Sequence, residues 1–178
     1  MEGERGDMKV IDMFSGKGGV GKSPLGVEMA ARFALMGKRV LGIDTDWQSQ
    51  FTVGLGAEPS NGLYDLVSAR NPDISALVTP TRIKNLSLIT SGSETNTAAA
   101  VAAAKHYQRT WLADTLEKVA DKFDVCIIDT AQGGLFVEMS IAAADLILSP
   151  VFCKFAHLEA LTGTPVYVSQ VRASVGRE

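Results

Sequence analysis

The sequence has few cysteines, little net charge and no long apolar run. Only Cys126 and Cys153 occur among its 178 residues, and they lack the spacing of metal ligands. The 17 basic and 20 acidic side chains leave a net charge of −3, so no global positive field attracts nucleic acid or an anionic membrane. The longest apolar run has 7 residues, whereas a membrane-spanning helix needs about 20. These absences predict a protein of the reducing cytoplasm with no membrane segment.

The composition is that of one globular domain. With 46% hydrophobic and 21% charged residues, the chain can bury one core of ordinary size but has no room for a second full domain. The polar N-terminus lacks the apolar stretch of a secretory signal. We therefore expect a single domain over residues 1–178, with residues 1–8 as a flexible tail.

Short apolar segments rich in β-branched residues alternate with longer segments of helical spacing. This alternation is typical of βαβ units and predicts an α/β fold, a mostly parallel twisted sheet with helices on both faces. The expected strands are 10–14, 39–43, 86–89, 125–128 and 146–148.

Helical spacing is clearest before two of these strands. Apolar residues recur from Met29 to Met36 before Gly37, a C-cap residue, and from Leu112 to Phe123 before the fourth strand. The alanine-rich segment 97–104 fits a helix or a lid. Gly163 and Pro165 interrupt a helix that begins near Leu158, so the structure of the tail 162–178 stays open.

A phosphate-binding loop follows the first strand. Residues 16–23 match G-x-x-x-x-G-K-[ST] between an apolar strand and an amphipathic helix, the context that this motif requires. Glycines let backbone N–H groups converge on an oligophosphate, while Lys22 neutralises phosphate charge and Ser23 ligates Mg²⁺. The alternative is a flexible glycine turn with a solvated lysine. The loop predicts nucleotide binding by Gly16, Lys17, Gly18, Gly19, Val20, Gly21, Lys22 and Ser23, and the nucleotide-binding set extends to Pro24 at the start of the following helix.

Aspartates end two of the predicted strands. Asp44 and Asp46 follow the second strand and Asp129 follows the fourth, at the edge where a parallel sheet faces its ligand. Such carboxylates can hold the water shell of Mg²⁺ or orient an attacking water. Each aspartate alone is equally well explained as a helix cap or turn residue.

These residues resemble a known family, the deviant Walker-A ATPases of the ParA/MinD type. That family's loop reads K-G-G-V-G-K-[ST]-[ST], and residues 17–23 match it as far as Ser23. Residues 40–55, V-L-G-I-D-T-D-W-Q-S-Q-F-T-V-G-L, are similar to its I-D-x-D-P-Q-x-x-x-T-x-G-L region. Residues 124–129 resemble its Walker-B strand.

The resemblance continues to about Leu161. Partition proteins share a pattern of A-D, then an apolar strand with proline, then F-x-x-L-E-G-L. Residues 142–150 resemble the first two parts of this pattern, and Phe155 with residues 158–161 resembles the third. Together with Gln48, these residues make the chain more similar to the plasmid and chromosome partition branch, ParA, than to the MinD branch. The resemblance implies a P-loop NTPase fold.

The resemblance also implies a role for each matched residue. Lys17 would be the signature lysine, which reaches the phosphates of the partner subunit in a nucleotide-sandwiched dimer. The alternative interpretation of Lys17 is a solvated lysine in the loop. Lys22 would hold phosphate and Ser23 magnesium, while Asp46 would position the hydrolytic water. Asp44 and Asp129 would belong to the magnesium shell. The catalytic set implied is Lys17, Lys22 and Asp46, with ATP or ADP and Mg²⁺ as cofactors.

Four features depart from the family pattern. Pro24 stands where the family has threonine or serine, which removes a hydroxyl and a backbone N–H that could meet the α-phosphate and predicts weak turnover. Trp47 replaces the usual proline, and residues 130–134 replace a proline-containing switch. Family members also continue through another strand, a base-recognition loop and a closing helix, so the C-terminal part of the fold is expected to be missing.

Three functions compete at this point. The first is an ATPase that cycles between an ATP-bound dimer and a monomer to move DNA or another cargo, with an activating partner protein and no membrane. The second is a degenerate nucleotide-binding or protein-interaction module with little turnover. The third, a small-molecule synthetase or a nitrogenase-like iron protein, is disfavoured because the cysteines lack cluster spacing. A DNA patch or a plain solvated face would both explain the basic residues Arg82, Lys84, Lys105, Arg109, Lys118 and Lys122.

Overall fold

Six strands form one sheet in the computed structural model, which describes residues 8–70, 72–152 and 158–176. In chain order the strands are β1 (Lys9–Met13), β2 (Val40–Asp44), β3 (Thr79–Pro80), β4 (Leu86–Ile89), β5 (Val125–Asp129) and β6 (Leu146–Leu148). Their order across the sheet is β3-β4-β2-β5-β1-β6. All neighbours are parallel except β3, which pairs antiparallel with β4 at one edge. The five strands expected from the sequence are confirmed, with ends shifted by at most one residue.

Eight helices lie between or after these strands within the described residues. They are α1 (Lys22–Leu35), α2 (Gln50–Gly54), α3 (Gly62–Ser68), α4 (Ile74–Leu77), α5 (Thr95–Ala104), α6 (Trp111–Glu117), α7 (Leu135–Ala143) and α8 (Leu158–Ser174). Helix α1 ends as expected, because Gly37 adopts a positive φ of 83° and its N–H donates to the Ala34 carbonyl.

Helices cover both faces of the sheet, as the sequence predicted. Along β2, Leu41 and Ile43 pack into a cluster formed with α3, α5, α6 and α7, whereas Val40 packs on the opposite face against α1 and α2. Residues of β5 alternate in the same way. Because successive side chains of a strand point to opposite faces, burial on both sides explains why these strands are continuously apolar.

Two expectations about the ends of elements need correction, and a third is made more specific. The tail was expected over residues 1–8, but Met8 is buried in the core; residues 1–7 lie outside the described residues. The helix expected to reach Phe123 ends at Glu117 and is followed by turns. The segment 97–104 is helical, and its helix begins two residues earlier at Thr95.

The C-terminal segment forms one long helix in spite of Pro165. Helix α8 runs through Gly163 and Pro165, where a helical hydrogen bond is lost because proline has no N–H. Val171 is buried against Phe14 and Val137, and the Tyr167 ring lies 5.9 Å from that of Phe14. These apolar contacts hold the helix on α7 and offset the lost bond. No described helix has the length and apolarity needed to cross a membrane.

Candidate functional site

The loop between β1 and α1 adopts a conformation that glycine allows. Gly19 and Gly21 have φ values of 67° and 93°, in the left-handed region that side chains disfavour. A Cβ on Gly18 would collide with the carboxamide of Gln132, so the loop packs closely against the segment that follows β5. Residues 16–23 therefore form a glycine-shaped turn at the start of α1, where backbone N–H groups face outward from the helix N-terminus.

Lys22 is buried at the first position of α1. Its residue is only 8% exposed, which is unusual for lysine because desolvating an ammonium group is costly. Its charge acts on Asp12 and Asp129, where it lowers the pKa of both carboxyl groups. A buried cation at a helix N-terminus, beside acidic groups, is suited to holding an anion such as a phosphate group.

The expected metal-binding residues Ser23, Asp44 and Asp129 meet at the carboxyl edge of the sheet. Asp44 and Asp129 are direct neighbours in the β2–β5 register, and a hydrogen bond joins Ser23 to the Asp129 carboxylate. Burial raises the pKa of Asp129 to about 7, against the lowering effect of Ser23 and Lys22. Its Oδ1 atom is buried and accepts no hydrogen bond from the described part of the chain.

This donor set fits Mg²⁺. Magnesium prefers hard oxygen ligands and binds through one or two carboxylates, with waters and phosphates completing the shell. The unpartnered Oδ1 of Asp129 beside the Ser23 hydroxyl offers such oxygens. Within the described residues, no group of three or more His, Cys, Asp or Glu side chains could hold a metal by itself. The site therefore suits a cation that arrives with phosphate.

Asp44 differs from Asp129 because both of its oxygens are already used. Oδ2 accepts from the Thr52 N–H at 2.9 Å and from the Thr52 hydroxyl at 2.8 Å, while Oδ1 accepts from the Asp46 N–H at 3.0 Å. Burial raises the pKa of Asp44, and these hydrogen bonds oppose the rise. Asp44 is thus held rigidly and can act on a cation through an intervening water.

Asp46 lies on the turn after β2 and faces an open cleft. Its Oδ1 accepts from the Gln48 N–H at 3.0 Å. The cleft has a volume of about 360 Å³ and is lined by Asp46, Trp47, Gln48, Asn96, Ala131, Gln132 and Gly133. Unlike Asp44, Asp46 is partly exposed, so water can reach its carboxylate. This placement is compatible with orienting a water molecule.

Lys17 lines a second cleft, between the glycine loop and α8. It is partly exposed, and its N–H donates to the Ser15 hydroxyl at 3.4 Å. The cleft has a volume of about 340 Å³, and Phe14, Val137 and Tyr167 form its apolar wall. Lys17 and Lys22 therefore differ in environment although they belong to one loop. Pro24 is exposed in the first turn of α1, where proline fits the helix without strain.

Asp12 is a buried acid of the site that sequence reasoning missed. Its Oδ1 accepts from the Thr130 hydroxyl at 2.5 Å, and its Oδ2 is buried with no partner in the described chain. Burial raises the pKa of Asp12 to about 7, although the Thr130 hydrogen bond and Lys22 lower it. The signal in the sequence was an aspartate inside an otherwise apolar strand, next to the loop.

Some of the basic residues considered as a DNA patch form contacts within the chain. Lys105 donates to the carbonyls of Val67, Ser68 and Ala69 and thereby caps α3. Arg109 forms an ion pair with Glu138, with 2.6 Å between Nε and Oε2. All six members of the set are exposed, among them Arg82, Lys84 and Lys118, and Lys122 donates to the Ser75 hydroxyl at 2.9 Å. Cys126 is a free thiol inside β5, whereas Cys153 and Phe155 lie outside the described residues.

The first strand of the parallel sheet leads through a glycine loop into a helix that begins with Lys22 and Ser23. This arrangement defines a P-loop nucleotide-binding fold. A family model described as an AAA domain matches residues 8–177. The chain belongs to this family and, within it, to the ParA/MinD-type P-loop ATPases of the partition branch. The family expected from the sequence is confirmed.

Curated relatives are longer than this chain. Sporulation initiation inhibitor protein Soj of Bacillus subtilis is 32% identical over 163 residues, which make up 86% of this chain and 62% of that protein. Chromosome partitioning protein ParA of Myxococcus xanthus is 30% identical over 167 residues, or 90% of this chain and 59% of that protein. The chain thus spans about three fifths of the length of these two relatives.

Solved structures share the fold. The structure of apo McdA from Cyanothece has a TM-score of 0.84 at 26% identity and covers 95% of this chain and 68% of its own. Cobyrinic acid a,c-diamide synthase from Mycobacterium smegmatis, solved with an ATP analogue and magnesium, has a TM-score of 0.84 at 24% identity, with coverages of 93% and 69%. The expected α/β fold is confirmed.

Proposed function

We propose that this chain binds ATP with Mg²⁺ and hydrolyses it to ADP. The observation that carries the proposal is the meeting of Lys22, Ser23 and the unpartnered Asp129 oxygen at the mouth of the glycine loop. A phosphate group compensates the buried lysine, and a cation compensates the buried carboxylate. Bound ATP and magnesium would supply both at once. The synthase from M. smegmatis, which shares the fold, holds an ATP analogue with magnesium.

Each loop residue has a defined part in this proposal. The backbone N–H groups of residues 16–23 bind the phosphates, and Lys22 neutralises the charge of the terminal ones. Pro24 lies in the first turn of the helix and adds no donor. Ser23 and Asp129 would hold Mg²⁺, with Asp44 beside them, and the bound ion would supply positive charge to the phosphate oxygens.

Asp46 orients the attacking water. Its Oδ1 is held by the Gln48 N–H, which leaves Oδ2 to accept a hydrogen bond from water in the open cleft. An oriented water attacks phosphorus with the correct alignment, which lowers the barrier without requiring the carboxylate to bind ATP. Lys17 and Lys22 complete the proposed catalytic set.

The biological role we propose is partition or positioning of DNA or another cargo in the cytoplasm. ATP binding would bring two copies together, with Lys17 of each copy reaching the phosphates of the other, and hydrolysis would separate them. Soj and ParA, the relatives described above, support this assignment through their family. Exposed basic residues such as Arg82, Lys84 and Lys118 would contact DNA phosphates without sequence preference. An activating protein would set the rate.

Pro24 favours a second candidate, a binding module with little turnover. Proline removes one N–H and one hydroxyl from the position nearest the α-phosphate. A chain that binds ATP weakly and does not hydrolyse it would work through protein contacts alone.

Titration calorimetry with magnesium and ATP, and with GTP as a second ligand, tests the site. We expect Lys22→Ala to weaken ATP binding about 100-fold or more, because the phosphates lose a buried cation. Lys38→Ala is the matched control, since Lys38 is exposed at the opposite edge of the sheet. Equal affinities of parent and Lys22→Ala would refute the assignment of the loop.

A further inference from the structure

A chain of buried hydroxyl groups connects β4 to the turn that carries Asp46. The Ser91 hydroxyl donates to Ser49 Oγ at 3.0 Å, and the Ser49 hydroxyl lies 3.0 Å from the Ser91 carbonyl, to which it donates. Ser49 is 3% exposed and Ser91 is completely buried. Buried polar groups that satisfy one another in this way define a specific geometry, because breaking either bond leaves an unpaired group away from water.

Ser49 is held in a backbone conformation that serine rarely adopts. Its φ is 55°, in the left-handed region, and its N–H donates to the Asp46 carbonyl at 2.9 Å to close the turn. A residue other than glycine keeps such a conformation only where its surroundings impose it. The contacts with Ser91 are what fix the side chain of Ser49 in this position.

Ser91 also supports Asp44. Its N–H donates to Thr52 Oγ1 at 3.2 Å, and the Thr52 hydroxyl donates in turn to Asp44 Oδ2 at 2.8 Å. Asp44 Oδ1 accepts from the Asp46 N–H. The Ser91 side chain also hydrogen-bonds to the Asp44 carboxyl and thereby lowers its pKa. Ser91 is therefore the point at which three paths to Asp46 meet, one through Ser49, one through Thr52 and one through Asp44 itself.

We propose that Ser91 is a positioning residue for ATP hydrolysis, which acts through Ser49 to hold the Asp46–Ser49 turn so that the Asp46 carboxylate faces the attacking water. This inference rests on the proposed function. Ser91 is completely buried and does not line the cleft that Asp46 faces. Its hydroxyl limits the orientations open to Asp46, which is partly exposed and whose carboxylate accepts the Gln48 N–H within the turn.

Steady-state kinetics of the full chain provides the first test. Ser91→Ala should lower kcat about fivefold to tenfold and leave KM for ATP within about twofold, because the lost hydrogen bond orients water and does not bind ATP. Ser87→Ala, the same substitution within β4, the strand that leads to Ser91, should leave both constants unchanged. Equal kcat values for the parent and Ser91→Ala would overturn the proposal.

Combination with Asp46→Ala separates positioning from general destabilisation. If Ser91 acts through Asp46, adding Ser91→Ala to Asp46→Ala should not reduce kcat further. If Ser91 had only a structural role, kcat of the double variant would instead fall by the product of the two single-variant factors. Ser49→Gly gives a second check, because it removes the hydroxyl but relaxes the left-handed strain. It should lower kcat as much as Ser91→Ala does, whereas unchanged turnover in Ser49→Gly would contradict the path through Ser49.

A fluorescence measurement tests positioning even if ATP hydrolysis fails. Trp47 is half-exposed on the same turn, and the second tryptophan of the chain, stacked on Tyr107, can be replaced as Trp111→Phe. In that background, Ser91→Ala should lower the fluorescence anisotropy of Trp47 without nucleotide, and Ser87→Ala should not. Unchanged anisotropy would overturn the role of Ser91. An absence of turnover in the parent would refute the proposed function instead.

Discussion

Buried acids dominate the site at the scale of single residues. Asp12, Asp44 and Asp129 lie close to the carboxyl edge of the sheet, and burial raises the pKa of each. A carboxyl group with a raised pKa takes up protons on folding, so the folded state is favoured at low pH and loses stability as pH rises. Without nucleotide, the site therefore reduces the stability of the protein near neutral pH.

Asp12→Asn should make stability less dependent on pH. In the parent, burial raises the pKa of Asp12 from its ordinary value of 3.8 to about 7. The free energy of unfolding therefore falls as the pH rises through this window. Asparagine cannot ionise and can still accept from Thr130. We expect Asp12→Asn to be about 1–3 kcal/mol more stable than the parent at pH 7.5, and similar to it at pH 4.

Urea unfolding at several pH values, without nucleotide or magnesium, measures this difference. Asp65→Asn, on the exposed side of α3, is the control and should follow the parent at every pH. An identical pH profile in the parent and Asp12→Asn would show that Asp12 is not an acid whose ionisation is opposed by the fold.

At the scale of secondary-structure elements, the start of α1 limits the affinity for ATP. Pro24→Thr should restore one backbone N–H and one hydroxyl near the α-phosphate, while the helix loses only the preorganisation of its first turn. A hydrogen bond to a charged acceptor contributes about 1.5–3 kcal/mol, so binding should tighten about tenfold or more. Calorimetry measures this change.

Pro24→Ala separates the contribution of the backbone N–H to ATP affinity from that of the hydroxyl. Alanine restores the N–H alone, so its affinity should lie between those of the parent and Pro24→Thr. If all three affinities are equal, the phosphates do not reach this position, and the binding-module function becomes the better account.

The same scale shows what the sequence could predict. Four of the five parallel strands, β1, β2, β4 and β5, follow from their apolar, β-branched composition, because both of their faces are largely buried. Strand β6 at the sheet edge follows from its apolar run, although its residues are at most partly buried. Strand β3 was not predicted, since its two residues carry no periodic pattern. Helix α8 could not be predicted through Pro165, because its stability comes from tertiary contacts with Phe14 and α7 that no local pattern records. The interruption of α8 at Pro165 was expected from local sequence, but packing keeps the helix continuous.

The candidate site was predictable to a similar degree. The loop and the three aspartates were identified because a motif and strand ends place them together. Asp12 was missed because one polar residue in a strand does not indicate what it contacts. The Ser49–Ser91 pair was also missed, since its two hydroxyl groups are 42 residues apart in the chain.

At the scale of the whole molecule, we expect assembly to be controlled by ATP. Lys17 and Lys22 belong to one loop, but Lys17 lines a separate cleft and can serve a second copy of the chain. Light scattering should show the mass doubling with ATP and magnesium, and Lys17→Ala should prevent it, because the lysine gains its contact only when the phosphates are present. Lys38→Ala is the control. The same mass with and without ATP would refute the sandwiched dimer.

Single-turnover hydrolysis of ATP with magnesium tests the central claim most directly. The parent should release phosphate, and Asp46→Ala should do so about 100-fold more slowly with an unchanged dissociation constant for ATP, because a residue that orients water contributes mainly in the transition state. Asp65→Ala should match the parent. If the parent releases no phosphate, or if Asp46→Ala and the parent release it at the same rate, the site is not the ATPase centre that this account describes.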